Sequence, residues 1–162
     1  MISPENFQII EGHEPIASNA LANTSDAICL KGANGVLIII HENYTNDANS
    51  LVLTVHEGAT AVEAAAGTYQ LSTYSEFKIW TNLTAQTSDT WTKQPDAVTY
   101  TINSTAGDNC LVAFYVSASC LTNGRDWVHL GSTGGDAGNI VSVLYILDGG
   151  RYQQAAMPTA IA

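Results

Sequence analysis

The stretch Val98-Thr99-Tyr100-Thr101-Ile102 alternates β-branched or aromatic residues with threonine, which is the pattern of a β-strand that buries one face. Leu51-Val52-Leu53-Thr54-Val55 shows the same alternation less cleanly. Two other runs, 36–40 and 143–147, are continuously apolar. Such runs are typical of strands that are covered on both faces. These four stretches predict a protein built from β-strands.

Clusters of glycine and asparagine separate further segments that are rich in Val, Ile, Thr, Tyr and Trp. This spacing is typical of antiparallel sheets and not of alternating strands and helices. Only 59–66 and 117–121 have helical character, and both are short. The sequence therefore predicts an all-β fold, an antiparallel β-sandwich or jelly-roll-like body. The expected strands are 27–31, 36–42, 50–57, 76–80, 90–93, 97–103, 110–116, 127–130 and 140–147.

The first 25 residues are polar and irregular and hold few apolar side chains. We expect 1–25 to be an extended N-terminal arm and 26–162 to be a single β domain. In an extended strand Phe7 and Ile9 share one face, and Ile10 lies on the other. We therefore take Phe7, Ile9 and Ile10 as candidate partner-binding residues, with Phe7 and Ile9 as anchors against a neighbouring chain.

The composition limits the class of partner. The chain has 162 residues, with 5 Lys and Arg against 15 Asp and Glu, so its formal charge is −10. Nucleic-acid binding requires clustered basic residues, and so does binding to an anionic membrane. We expect neither partner. The N-terminus has no signal-peptide pattern, so we expect synthesis in a cytosol, where the three cysteines stay reduced. A Cys110–Cys120 disulfide is the alternative.

The dipeptide His-Glu at 41–42, which recurs at 56–57, is the strongest candidate for a metal site. If 36–42 and 50–57 form a hairpin, however, His41 lies about 17 Å from His56 along the ladder. That distance argues against a shared metal ion. No nucleophile or phosphate-loop motif occurs either. We therefore expect no catalytic residues, no metal and no cofactor, and the chain is predicted not to be an enzyme.

Aromatic and arginine side chains leave a second possibility open. Trp80, Trp91 and Trp127, with seven tyrosines, are the residue types of a sugar-stacking platform, although packing in a core or an interface explains them as well. Arg125 and Arg151 fit salt bridges or interface anchors. A carbohydrate-binding module is thus one alternative function.

Several blocks of the chain together carry a resemblance to a known family: 24–33 (TSDAICLKGA), 36–41 (VLIIIH), 88–90 (SDT), 94–101 (QPDAVTYT), 137–142 (AGNIVS), 145–147 (YIL), 151–152 (RY) and 158–161 (PTAI). They resemble a family of small proteins from tailed bacteriophages and prophages. The resemblance runs from about residue 7 to the C-terminus, apart from a divergent stretch at 58–76.

Members of this family are mostly uncharacterised and are encoded near the major capsid protein. The resemblance therefore implies a virion structural protein, a capsid decoration or cement protein on the outer surface of the head. It implies the major capsid protein as partner, a homo-oligomer with a trimer favoured, and residence in the host cytoplasm during assembly. Another virion component of the tail, neck or fibre attachment is the alternative. The family transfers no active-site residues.

Overall fold

A computed structural model defines residues 7–22, 24–45, 49–71, 78–103 and 109–150. Strands make up 56% and helices 9% of these residues. The elements are β1 (Phe7–Ala17), α1 (Ser18–Leu21), β2 (Ala27–Cys29), β3 (Ala33–Asn43), β4 (Leu51–Gly58), α2 (Ala61–Ala65), β5 (Tyr69–Gln70), β6 (Lys78–Asn82), β7 (Thr92–Lys93), β8 (Thr99–Ile102), β9 (Cys110–Ser117), a 3₁₀ turn (Ala118–Cys120), β10 (Trp127–Gly134) and β11 (Ile140–Gly150). Within the described ranges, no helix has the length and apolar character needed to cross a membrane.

The strands form two antiparallel sheets that pack face to face. One sheet has six strands in the order β1-β11-β3-β9-β6-β7. The other has the order β2-β10-β4-β5, and β8 also pairs with β4. The prediction of an all-β sandwich is confirmed, and so is the low helix content.

Alternation along the central strands builds the core. On β3 the buried side chains are Val36, Ile38 and Ile40, and on β4 they are Leu51, Leu53 and Val55. These side chains belong to one continuous apolar cluster that draws on both sheets. Because successive residues of a strand point to opposite faces, the remaining residues of β3 and β11 point away from this core.

The described residues do not cover the continuously apolar runs on both faces. Val143, Tyr145 and Leu147 are fully or almost fully buried, but Leu144, between the first two, is 42% exposed. Leu37 and Ile39 on β3 are likewise only partly covered. The outward face of the six-stranded sheet therefore carries apolar side chains that the described residues leave partly exposed.

Residues 7–17 of the expected arm are an edge strand of the same chain. β1 pairs with β11 from Phe7, opposite Asp148, to Ala17, opposite Ile140. Irregularities in the pairing fall between Glu11 and His13 and between His13 and Ile16. They accommodate Gly12 and Pro15, which is why the sequence here lacks a regular strand pattern. Residues 1–6 lie outside the described residues.

The expected hairpin between 36–42 and 50–57 is wrong. β3 pairs with β11 and β9 in the six-stranded sheet, whereas β4 pairs with β10, β5 and β8 in the other sheet. Each strand has an apolar inner face, and placing them in opposite sheets buries both faces in one core.

Candidate interaction surface

The His-Glu pairs do not come together. His41 is exposed on the outward side of β3, whereas Glu42 is fully buried on the inward side. Glu57 is occupied by structural contacts: it accepts hydrogen bonds from the Thr122 backbone amide at 2.8 Å and from Arg125 Nη1 at 3.0 Å. Across the described residues, no group of three His, Cys, Asp or Glu side chains is arranged to hold a metal ion.

Arg125 forms the ion pair that its type predicts. Its guanidinium bonds to the almost fully buried Glu57 and also stacks over the Tyr69 ring, with Cζ 3.6 Å from the ring centroid. The hydrogen bond that Arg125 donates to Glu57 raises the pKa of Arg125. These contacts tie the segment after the 3₁₀ turn to β4 and β5, so Arg125 has a structural role.

A histidine pair was missed by the sequence reasoning. His56 on β4 lies directly opposite His129 on β10, and their rings stack with centroids 6.0 Å apart. His129 is completely buried, and burial lowers the pKa of His56. The pairing depends on the register of two strands about 70 residues apart, which no local pattern reveals. The stacked rings of His56 and His129 are part of the packing of this sheet.

His13 lines an open cleft of about 300 Å³ between β1 and the segment before β2. Its Nδ1 lies 2.7 Å from the Glu14 carbonyl oxygen and its Nε2 lies 3.0 Å from the Thr24 hydroxyl. Burial raises the pKa of the nearby Asp26 carboxyl, an effect that His13 opposes. Since both ring nitrogens are engaged, the ring serves the local structure.

Glu42 is the most unusual polar residue of the core. It is fully buried, and neither carboxylate oxygen has a hydrogen-bond partner among the described residues. Burial raises the pKa of Glu42 to about 7, and nearby Ser18 and Asn139 only partly oppose that rise. Ser18 and Asn139 are themselves buried and join α1 to the segment before β11, because the Ser18 amide donates to the Asn139 carbonyl at 2.8 Å.

The three candidate partner-binding residues lie on two opposite faces of β1. Ile10 packs against the core, so it is not available to a partner. Ile9 lies on the outward face and is 57% exposed. Phe7, two residues earlier, is partly buried on that same side of β1.

Cross-strand pairing extends this outward face over the six-stranded sheet, because directly paired residues share a face. We call it the open face. One row runs across it as Ile9, Ile146, Leu37, Tyr115 and Lys78, and the next row as Leu144, Ile39, Ala113 and Trp80.

A hollow of about 350 Å³ lies at one end of the open face. We call it the tryptophan hollow. The described residues that line it are all apolar: Leu37, Ile39, Trp80, Trp91 and Ala113. Trp127 lies on the other sheet, opposite Cys29 and Gly58, so the structure brings together two of the three tryptophans. A sugar site needs polar side chains beside its aromatic rings, and this hollow offers none.

Within the described ranges, Cys29, Cys110 and Cys120 are not joined in a disulfide, and Cys110 and Cys120 are buried.

Comparisons with known proteins add no family to this geometry. No protein-family model matches the chain, and no curated protein matches it significantly. Evidence for the function therefore comes from the open face, the charge of the chain and the sequence blocks.

Proposed function

We propose that this chain is a structural virion protein of a tailed bacteriophage, a capsid decoration protein that binds the outside of the head and stabilises it. The observation that carries the proposal is the open face. Ile9, Leu144 and Trp91 are 57%, 42% and 41% exposed on it. Monomeric soluble proteins rarely leave a contiguous apolar surface of this extent uncovered. Such a surface is typical of a protein that works by assembling with other proteins.

The charge of the chain supports a position outside the head. A chain with a formal charge of −10 is repelled by packaged DNA, whereas the outer surface is separated from that DNA by the shell. The resemblance to phage proteins encoded near the major capsid protein supplies the partner. The proposed role is non-catalytic, and the structural contacts made by His13 and Glu57 are compatible with it.

Binding of purified protein to undecorated heads tests this proposal. We expect saturable binding at hundreds of copies per head, counted by quantitative mass spectrometry of sedimented particles. About a dozen copies would indicate the alternative, a neck or tail component, and no binding would contradict a role on the head. Leu144→Glu should lower the occupancy because it places a charge on the open face. Val62→Glu is the matched control, since Val62 is 80% exposed on α2.

The carbohydrate-binding alternative has one supporting observation, the pair Trp80 and Trp91 at the tryptophan hollow. Glycan-array binding that disappears in Trp91→Ala and survives in Trp127→Ala would favour it over the decoration role. The wholly apolar lining favours instead a protein side chain as the occupant of the hollow.

A further inference from the structure

The open face has two unlike ends, separated by β3. At one end the most exposed apolar side chains are Ile9 on β1 and Ile140 and Leu144 on β11. At the other end lies the tryptophan hollow, whose lining includes Ala113 on β9 and Trp80 on β6. One end therefore offers protruding side chains and the other offers a depression.

The register places these two features symmetrically. Leu144 pairs with Ile39, and Ile39 pairs with Ala113, so the three residues share one row with Ile39 in the middle. Leu144 and Ala113 are thus one strand to either side of β3, each about 5 Å away. A twofold axis that lies in the plane of the face and runs along β3 exchanges their positions. This rotation places Leu144 of each copy over Ala113 of the other copy, so the pair contains two equivalent contacts.

The extent of the open face suits a stable pair. Six strands spaced about 5 Å apart span about 25 Å, and the rows of outward side chains cover about 20 Å along the strands. Two such faces bury about 1,000 Å² in total, which reaches the lower limit for a specific interface. Stacked sheets pack about 10 Å apart with nearly aligned strands, and rotation about β3 gives that alignment.

Charge favours this surface for contact between copies. Two chains that each carry a formal charge of −10 repel one another, so they can pair only through a surface with few acidic groups. Two charged side chains of the open face are Lys78 on β6, which forms an ion pair with Asp96 at 3.2 Å, and Asp148 on β11, which accepts a hydrogen bond from the Tyr115 hydroxyl at 2.9 Å. Glu11 and Lys93 flank the second row at the two edges of the sheet.

We propose that the open face is a self-complementary interface, in which a second copy of this chain inserts its Leu144 into the tryptophan hollow. The inference builds on the proposed function, because a paired sandwich is the unit that would bind the head. It replaces the trimer that the family resemblance favours with a twofold pair. It also gives Ile9 the role of contacting a neighbouring chain.

Exchange of the two contacting residues tests the pairing. Light scattering during gel filtration should give the wild-type chain twice its mass of 17.1 kDa. Leu144→Ala removes the inserted side chain and should weaken pairing about a hundredfold or more, because two leucine contacts are lost. Ala113→Leu fills the hollow and should block pairing. The double variant Leu144→Ala/Ala113→Leu reverses the contact and should restore the pair.

Val62→Ala on α2 is the matched control and should leave the mass at two chains. Circular dichroism verifies that each variant is folded. The inference is overturned if light scattering gives the wild-type chain the mass of one or of three chains. It is also overturned if the double variant does not regain the mass of two chains, or if two chains pair only after residues 151–162 are deleted. A monomer that still saturates heads would refute the pairing and leave the proposed function intact. A chain that pairs but does not bind heads would refute the proposed function and leave the pairing intact.

Discussion

Replacing Glu42 with glutamine should stabilise the protein at neutral pH and reduce the dependence of its stability on pH. Glu42 is completely buried, and its carboxylate oxygens have no hydrogen-bond partner among the described residues. Burying an unpaired carboxylate is costly, so the folded protein favours the protonated acid. Glutamine has nearly the same shape and carries no charge at any pH.

The magnitude follows from the pKa. Burial raises the pKa of Glu42 from 4.5 to about 7, a difference that corresponds to about 3 kcal/mol. Because the pKa of Glu42 is higher in the folded state, the folded state binds the proton more tightly than the unfolded state. The free energy of unfolding therefore falls as the pH rises. The stabilising contribution of the Glu42 proton is fully present below about pH 4.5 and is lost as the pH rises to about 7. At higher pH the free energy of unfolding no longer changes through this group.

Urea denaturation followed by tryptophan fluorescence measures this effect. Between about pH 5 and about pH 8, the wild-type free energy of unfolding should fall by about 2–3 kcal/mol relative to that of Glu42→Gln. Asp26 and His56 also titrate with shifted pKa values, but their contributions are common to both proteins and cancel in the difference. Equal pH profiles for the two proteins would refute the buried, unpaired state of Glu42.

Two further substitutions test the packing. At Gly12, an added Cβ would lie 2.8 Å from the Tyr145 ring, so Gly12→Val should lower the free energy of unfolding by about 1–3 kcal/mol in urea titrations; unchanged stability would show that β1 is not docked against β11 as described. Arg125→Lys keeps the charge but loses the planar group that bonds to Glu57 and stacks on Tyr69. Its melting temperature in differential scanning calorimetry should fall, and a wild-type value would mean that this cluster does not hold the segment in place.

Much of the sandwich could be predicted from local pattern. The alternation in 51–55 and 98–102 lies in β4 and β8, and the helical character of 59–66 corresponds to α2. β1 escaped prediction because Gly12 and Pro15 interrupt its pattern at irregular pairing positions. Its signal was the spacing of Ile10 and Ile16, both of which pack against the core.

Pairing between distant strands could not be predicted. The separation of β3 and β4 into different sheets and the contact of His56 with His129 depend on which strands meet across the core, and local patterns do not encode that choice. The open face was only partly foreseen. The apolar runs 36–40 and 143–147 predict burial on both sides, and the described part of the chain covers one side. A partner that covers the other side would reconcile the sequence with the fold.

A cryo-electron microscopy map of decorated heads tests the central claim most directly. We expect β-sandwiches on the outside of the shell, arranged in twofold pairs, with Leu144 of each copy seated over Ala113 of the second copy. Density for this chain only at the neck or tail, or sandwiches whose six-stranded sheets face solvent, would contradict it.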